Sequence, residues 1–428
     1  MRLPALLFAL VALTAALSLP IAHAQLPTAS TQDKPPVAVT LDPTAATEAY
    51  MNRLTGEARA KSDAYFEGGY WLQVWELLYT LAVAWLLLAR RISTRLREFA
   101  ERLSRGPNLQ AFIYAALYIA LVTLLTLPLT IYQGFYREHQ YGLSNLSFGA
   151  WLGEAGIDLA LSMLLLGLAV TIFYAILRRL PQSWWIWSAV AGGLFMAVLI
   201  MISPLYISPL FNTYKPLPDG ALRDSILSMA RANGIPADNV YYFDASKQTK
   251  RISANVSGLF GTTRISLNDN LLNRSSPAEI RAVMAHEMGH YVLNHALKQT
   301  VAFSLLLLGG LAFVRVGWSW AHARFASHHG VRGIEDPAGL PLLAAMIAVY
   351  LFATMPVRNT VIRSAETEAD MFGLNASREP DGFAEAIFKL SEYRKLHPGP
   401  AEEFLMFDHP SGYNRIFAAM RWKAENAK

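Results

Sequence analysis

The chain of 428 residues contains no cysteine. That absence excludes disulfides, thiolate metal ligands, a cysteine nucleophile and a lipoprotein anchor. Charge is scarce as well: Asp, Glu, Lys and Arg make up 16% of residues, against 53% hydrophobic. Soluble domains carry about 25% charged residues, so this balance points to an integral membrane protein rather than a large soluble core. The net charge of +5 comes mostly from arginines grouped in loops. No basic stripe is interleaved with aromatics and no recognition motif is present, which speaks against a nucleic-acid partner. There is no internal repeat, heptad array or low-complexity tract beyond a polar, proline-bearing linker at 25–43. The oligomeric state is not legible.

Six internal apolar stretches are long enough to span a bilayer, at 69–89, 111–132, 159–177, 184–207, 301–320 and 338–356. Glu76, Pro128 and Arg315 interrupt them. The two charged groups either face a bundle interior or snorkel from near the span ends. Residues 1–24 read as a signal peptide, with Arg2, an apolar run from Leu3 to Ile21, and Ala22-His23-Ala24 as a cleavage site. The same run retained would be a first span. Arg90, Arg91, Arg95, Arg97, Arg102 and Arg105 place the loop after the first internal span inside; Arg178 and Arg179, then Arg315, Arg324 and Arg332, mark later inner loops. Counting spans puts segments 209–300 and 357–428 outside. The expected location is a bacterial inner membrane, multi-pass, with those segments in the periplasm.

The expected organisation is a polar N-terminal segment (25–68), a four-span membrane region (69–208), an extramembrane unit with a metal helix (209–300), a transmembrane hairpin (301–356) and the unit's second part (357–428). Within the unit the pattern predicts a helix at 220–233, strands at 239–243, 253–257 and 263–267, and helices at 277–295, from Ile362 to Phe372, and at 381–395. The fold class is mainly α, with a small α+β unit split by the hairpin.

His286-Glu287-Met288-Gly289-His290 is the most informative stretch. Residues four apart share a helix face, so both imidazoles can grip one ion, and Glu287 can reach a water on it. Ser276-Pro277-Ala278-Glu279 is a capping box with proline at the first helical position. A catalytic zinc takes three protein ligands and keeps one position for water. Without cysteine the third ligand is His, Asp or Glu. His295 sits nine residues from His286, about 180° round a continuous helix, so a surface or outer-shell role suits it better. Asn294, four residues after His290, shares the ligand face on that reading and is a candidate substrate contact. Glu366 and Asp370 share a face, whereas Glu368 points elsewhere. One of the pair can bind the ion while the other takes the N–H of a ligating imidazole.

H-E-M-G-H-x-x-x-N-H at 286–295, E-T-E-A-D-M-F-G at 366–373, and Asp408-His409-Pro410 with Arg415 together resemble the CAAX prenyl protease 1 family of integral-membrane zinc metallopeptidases. Ser208-Pro209-Leu210-Phe211-Asn212, Pro216-Leu217-Pro218-Asp219-Gly220 and Tyr132-Gln133-Gly134-Phe135 add to the likeness, which runs from about residue 65 to 416. The resemblance implies His286, His290 and Glu366 as ligands of one Zn2+, Glu287 as general base, Asp370 as the residue orienting a ligand histidine, and His409 as oxyanion stabiliser. It also implies a membrane-embedded helical barrel of seven spans enclosing a chamber, with a peptide or protein as substrate and the lipid bilayer as surroundings.

Two departures bear on substrate. Where relatives often carry Asn-Ala in the strand that pairs with an extended peptide, this chain reads Ser253-Ala254, with Asn255 next; these three are the candidate strand contacts. Eukaryotic relatives process prenylated C-terminal peptides from the cytosolic side, whereas the arginine count puts this site outside. Alternative readings are a membrane quality-control protease with the same zinc chemistry and a non-proteolytic membrane scaffold. More spans than the four typical of the former, and an intact Glu287 with its three ligand candidates, argue against each.

Overall fold

The structure, a computed structural model, describes residues 41–258 and 263–426. The expected signal peptide and most of the 25–43 linker lie outside the described residues. Helix α1 (Pro43–Met51) begins at Asp42, whose carboxylate accepts from the Thr44 amide at 2.9 Å. Helix α2 (Gly56–Ala89) has 34 residues, or about 50 Å, which exceeds a hydrocarbon layer of roughly 30 Å. Its first turns therefore stand clear of the bilayer and dock on the extramembrane unit. Ser62 Oγ donates to the Arg394 carbonyl at 3.3 Å, Tyr70 OH to Glu402 at 2.9 Å, and Lys395 Nζ reaches Glu67 at 2.6 Å.

The apolar stretch at 69–89 is thus only the latter part of a longer helix. Within the polar N-terminal segment, Met51 packs among Ile416, Ala419 and Met420. Phe66 also packs on Phe407 of the unit, but the other contacts of this docking face are polar, so hydropathy does not register it.

Amphipathic α3 (Ile92–Leu103) follows a turn in which Arg91 adopts φ 53°. Helix α4 (Pro107–Gln140) contains Pro128, which cannot donate to the helical ladder; a π-turn at Tyr132–Tyr136 widens the helix just beyond it. Helices α5 (Phe148–Arg179) and α6 (Trp184–Leu210) complete the first membrane group. The arginine-rich loops converge at one end: Arg178 reaches Asn108 at 2.6 Å, Arg332 reaches Glu101 at 2.9 Å, and buried Arg97 pairs with Asp336 at 2.6 Å.

The extramembrane unit begins with β1 (Tyr214–Pro216), α7 (Ala221–Ala232), β2 (Val240–Phe243), β3 (Ala254–Ser257), β4 (Arg264–Asn268), α8 (Asp269–Arg274) and α9 (Pro277–Val292). The sheet order is β1-β2-β4-β3. β2 and β4 run parallel with Val240 opposite Ile265, and β3 is antiparallel to β4 with Ala254 opposite Leu267. β3 is consequently an edge strand. Ile265 and Leu267, facing opposite ways from Ser266 along β4, pack with Ile226 and Ala230 of α7 and with Ile280, Met284 and Met288 of α9.

Helix α10 (His295–Phe325) then returns through the membrane, packing against α6, where Gly192 and Gly193 leave room for Leu307 and Ser304. Helices α11 (Leu340–Ala353) and α12 (Met355–Ser377) form a pair bent by 57°. The helix predicted from Ile362 to Phe372 is thus the middle of a longer one. Helices α13 (Pro380–Lys389), α14 (Pro400–Met406) and α15 (Gly412–Asn426) close the unit. Among the described residues five helices are long and apolar enough to cross a membrane, and the bent pair makes a sixth. The expected class stands: a mainly helical polytopic protein with a small α+β unit divided by a hairpin.

Candidate active site

Ser276 caps α9, its Oγ accepting from the Glu279 amide at 3.4 Å, with Pro277 opening the first turn. Helix α9 then presents His286, Glu287 and His290. Helix α12 crosses it so closely that a side chain at either contact point would press on the facing backbone. A Cβ on Gly289 would lie 3.1 Å from the Ala369 Cα, and one on Gly373 would lie 3.0 Å from the His286 nitrogen. This approach brings Glu366 and Asp370 to the imidazoles.

His286 Nε2 lies 3.1 Å from His290 Nε2 and 3.3 Å from Glu366 Oε2, and His290 Nε2 lies 3.4 Å from Glu366 Oε1. Zinc bonded to imidazole at 2.0–2.1 Å in a tetrahedron separates its donors by about 3.3–3.4 Å. Two histidines and a carboxylate with these edges therefore fit one zinc ion. No other group of three His, Cys, Asp or Glu residues among the described residues has its donor atoms so clustered.

The supporting residues are equally specific. His286 Nδ1 lies 2.8 Å from Asp370 Oδ1, and Arg415 holds the same carboxylate with two arms, at 2.8 and 2.5 Å. Asp370 is held below the usual aspartate range: burial would raise it, but the Arg415 charge and the His286 contact prevail. Glu366 lies well below the usual range too, since His286, His409 and Arg415 together outweigh its burial. Glu287 moves the other way. Burial, with a smaller push from Glu366, lifts it to about 7, a value suited to accepting and returning a proton near neutrality.

Glu287 faces a cavity of about 270 Å³ together with Ser253, Ala254, Glu366 and His409. His409 enters from the loop before α15, with Nε2 3.4 Å from Glu366 Oε2 and Nδ1 2.8 Å from Asp408. Asn255 is not among the cavity's lining residues; its Oδ1 is buried without a hydrogen-bond partner.

The region after His290 departs from expectation. Helix α9 stops at Val292, and Asn294 takes a left-handed φ of 56°. Asn294 is exposed, its Nδ2 3.4 Å from the Val292 carbonyl, and so it does not share the ligand face or line the cavity. The same break returns His295 toward the site. Only 2% exposed, His295 places Nδ1 2.8 Å from His290 Nδ1 and Nε2 3.2 Å from Glu368 Oε2. A helical wheel drawn through residue 294 fails because the helix is broken there. Tyr393 and Arg394, which also line the cavity, lie outside every motif. The glycines at 289 and 373 lie inside motifs, but nothing marks them as contact points until the helices are seen to cross.

The family model described as "CAAX prenyl protease N-terminal, five membrane helices" matches residues 39–213, and that of "Peptidase family M48" matches residues 216–423. An uncharacterized metalloprotease of Bacillus subtilis is 29% identical over 344 residues, 80% of each chain. CAAX prenyl protease 1 of Saccharomyces cerevisiae is 34% identical over 194 residues, 45% of this chain and 43% of the relative. The crystal structure of S. mikatae Ste24p shares the fold, with a TM-score of 0.70 over 91% of this chain and 100% of that one, at 23% identity. Taken with the membrane helices and the clustered His and Glu side chains, these matches show that the chain belongs to peptidase family M48 as a multi-pass membrane metallopeptidase of the CAAX prenyl protease 1 type.

Proposed function

We propose that the protein is a membrane zinc endopeptidase whose single ion is held by His286, His290 and Glu366, and whose reaction is run by Glu287 and His409. The observation that carries this reading is the convergence of three donor atoms within 4.8 Å of one another beside a cavity that Glu287 and His409 also face. Zinc bound there supplies Lewis acidity, acidifying a water and polarising a peptide carbonyl. Glu287, tuned to about 7, accepts the water's proton as the carbonyl is attacked and delivers it to the departing amine. His409 acts as the imidazolium, giving its Nδ1–H to Asp408 and its Nε2–H to the developing oxyanion. Asp370, clamped by Arg415, fixes the ring of His286 so that Nε2 points inward.

The substrate is a peptide or protein lying extended against the free edge of β3, where Ser253 and Ala254 line the cleft. Backbone pairing of this kind tolerates varied side chains. Relatives bear the name CAAX prenyl protease, which makes a farnesylated CAAX peptide the first substrate to try. The convergence of arginine loops opposite the extramembrane unit supports a periplasmic catalytic face in a bacterial inner membrane.

The deciding experiment compares wild type with Glu287→Gln. The variant is expected to retain zinc while cleaving at least ~10²-fold more slowly, and wild-type cleavage to stop with a chelator. Wild-type turnover by a zinc-loaded Glu287→Gln protein would reject the base assignment.

A further inference from the structure

The cavity beside Glu287 holds two guanidinium groups, and only one of them is engaged. Arg415 is committed to Asp370 through two short bonds. Arg394 donates no side-chain hydrogen bond among the described residues. Its nearest carboxylate oxygen, Asp408 Oδ1, is 3.8 Å away and already lies 2.8 Å from His409 Nδ1.

The surroundings of Arg394 sharpen the point. The cavity wall is apolar on the side of α9 and α13, with Val283, Phe383, Ile387 and Leu390. Burial in that setting pulls the Arg394 pKa below the ordinary arginine range. Its backbone is not free to swing away. The amide donates to the Leu390 carbonyl at 2.8 Å, and its own carbonyl accepts from Ser62 of α2 at 3.3 Å. A half-buried cation without a close partner is costly, and a ligand that brings an anion removes the cost. Because a guanidinium fork matches a carboxylate in plane and spacing, arginine is the side chain suited to that ligand.

We infer that Arg394 is a carboxylate-binding, specificity-determining residue of the substrate cleft. It receives a carboxylate of the peptide while Val283, Phe383, Ile387 and Leu390 accept the apolar side chain beside it. The inference rests on the peptidase reading above. The carboxylate has two possible sources, the free end of the chain or an acidic side chain, and the experiment separates them.

Full-length zinc-loaded Glu287→Gln protein, which leaves bound peptide uncut, is titrated with three fluorescent peptides of one apolar sequence. One ends in a free carboxylate, one in an amide, and one in an amide with Glu as the last residue. The free acid or the Glu peptide is expected to bind about 10- to 100-fold more tightly than the plain amide, and whichever does so identifies the source. Adding Arg394→Gln is expected to bring that ratio to within about twofold, whereas Arg394→Lys keeps part of it. Equal binding of all three peptides, no measurable binding of any, or a ratio that survives Arg394→Gln overturns the assignment. Chelator-sensitive cleavage of all three peptides by the wild-type enzyme is measured in parallel. Cleavage alongside equal affinities rejects Arg394 alone, and no cleavage of any peptide rejects the peptidase reading instead.

Discussion

Gly373 of α12 abuts the backbone of His286, so that a Cβ there would lie 3.0 Å from the His286 nitrogen and 3.1 Å from its Cα. The spacing between the two helices is set by this missing side chain, and the Glu366 and Asp370 distances depend on it. Replacing Gly373 with Val forces the helices apart at a cost of about 1–3 kcal/mol or more. Bound zinc should be lost and the melting temperature lowered. Metal analysis of purified Gly373→Val protein checks this; one zinc per chain with unchanged melting would show that the close approach is not required.

Asp370 lies between His286 and Arg415, so its removal harms both. Asp370→Ala leaves Arg415 buried without a partner, a loss of about 3–5 kcal/mol in comparable pairs. It also frees the His286 ring, which should weaken zinc binding about 10- to 100-fold. Arg415→Ala added to Asp370→Ala should restore part of the stability, because the second change removes the orphaned charge. Additive losses in thermal unfolding would mean the two groups are not coupled.

Glu366 and Glu368 are two residues apart and play different parts. Glu366→Ala should abolish stoichiometric zinc. Glu368→Ala and His295→Ala should retain it at saturation but weaken it about 10- to 100-fold, since the Glu368–His295 pair steadies the outer nitrogen of His290. Competition with a chelator of known affinity measures all three. Equal zinc content in Glu366→Ala and wild type would overturn the ligand choice.

The contact between α2 and α14 makes a pH-dependent contribution. Burial would raise the Glu402 carboxyl, but Lys395, Tyr70 and the Gly399 amide hold it below its ordinary value. Lys395 is raised because its bonds to Glu402 and Glu67 outweigh burial. A depressed carboxylate adds stability above its unfolded pKa of about 4.3, lost as pH falls through the folded value; a raised ammonium adds stability below about 10.4, lost as pH rises through the folded value. The pair therefore contributes fully between about pH 5 and 10. The melting difference between wild type and Glu402→Gln should be largest in that window and shrink as the pH falls below the unfolded value of about 4.3; a difference independent of pH would exclude this linkage.

Much of this architecture was legible because its signals are local. The capping box at Ser276, the spacing of His286 and His290, and the shared face of Glu366 and Asp370 all lie within a few turns of helix. The strands at 240–243 and 264–268 were marked by their composition, and the loops between spans by arginine. What escaped was non-local. The docking of α2 depends on Ser62, Glu67 and Tyr70 meeting residues more than 300 positions away. The outer-shell role read for His295 agrees with its contact to His290, but the geometry of that contact was hidden because one left-handed residue, Asn294, breaks a pattern that reads as continuous helix. Arg394 has no motif around it, and its significance lies in the absence of a partner.

The division of the catalytic unit by α10 and α11 also bears on how the enzyme is made. A nascent chain extended only as far as Val292 carries both imidazoles and the proposed base, yet the proposed third ligand, Glu366, lies 74 residues beyond that end (366 against 292) and past two further membrane passages. Until that hairpin is inserted, the ion has no complete seat and Glu287 has nothing to activate. With the proposed ligand set, biosynthesis thus withholds hydrolytic power until membrane integration is finished.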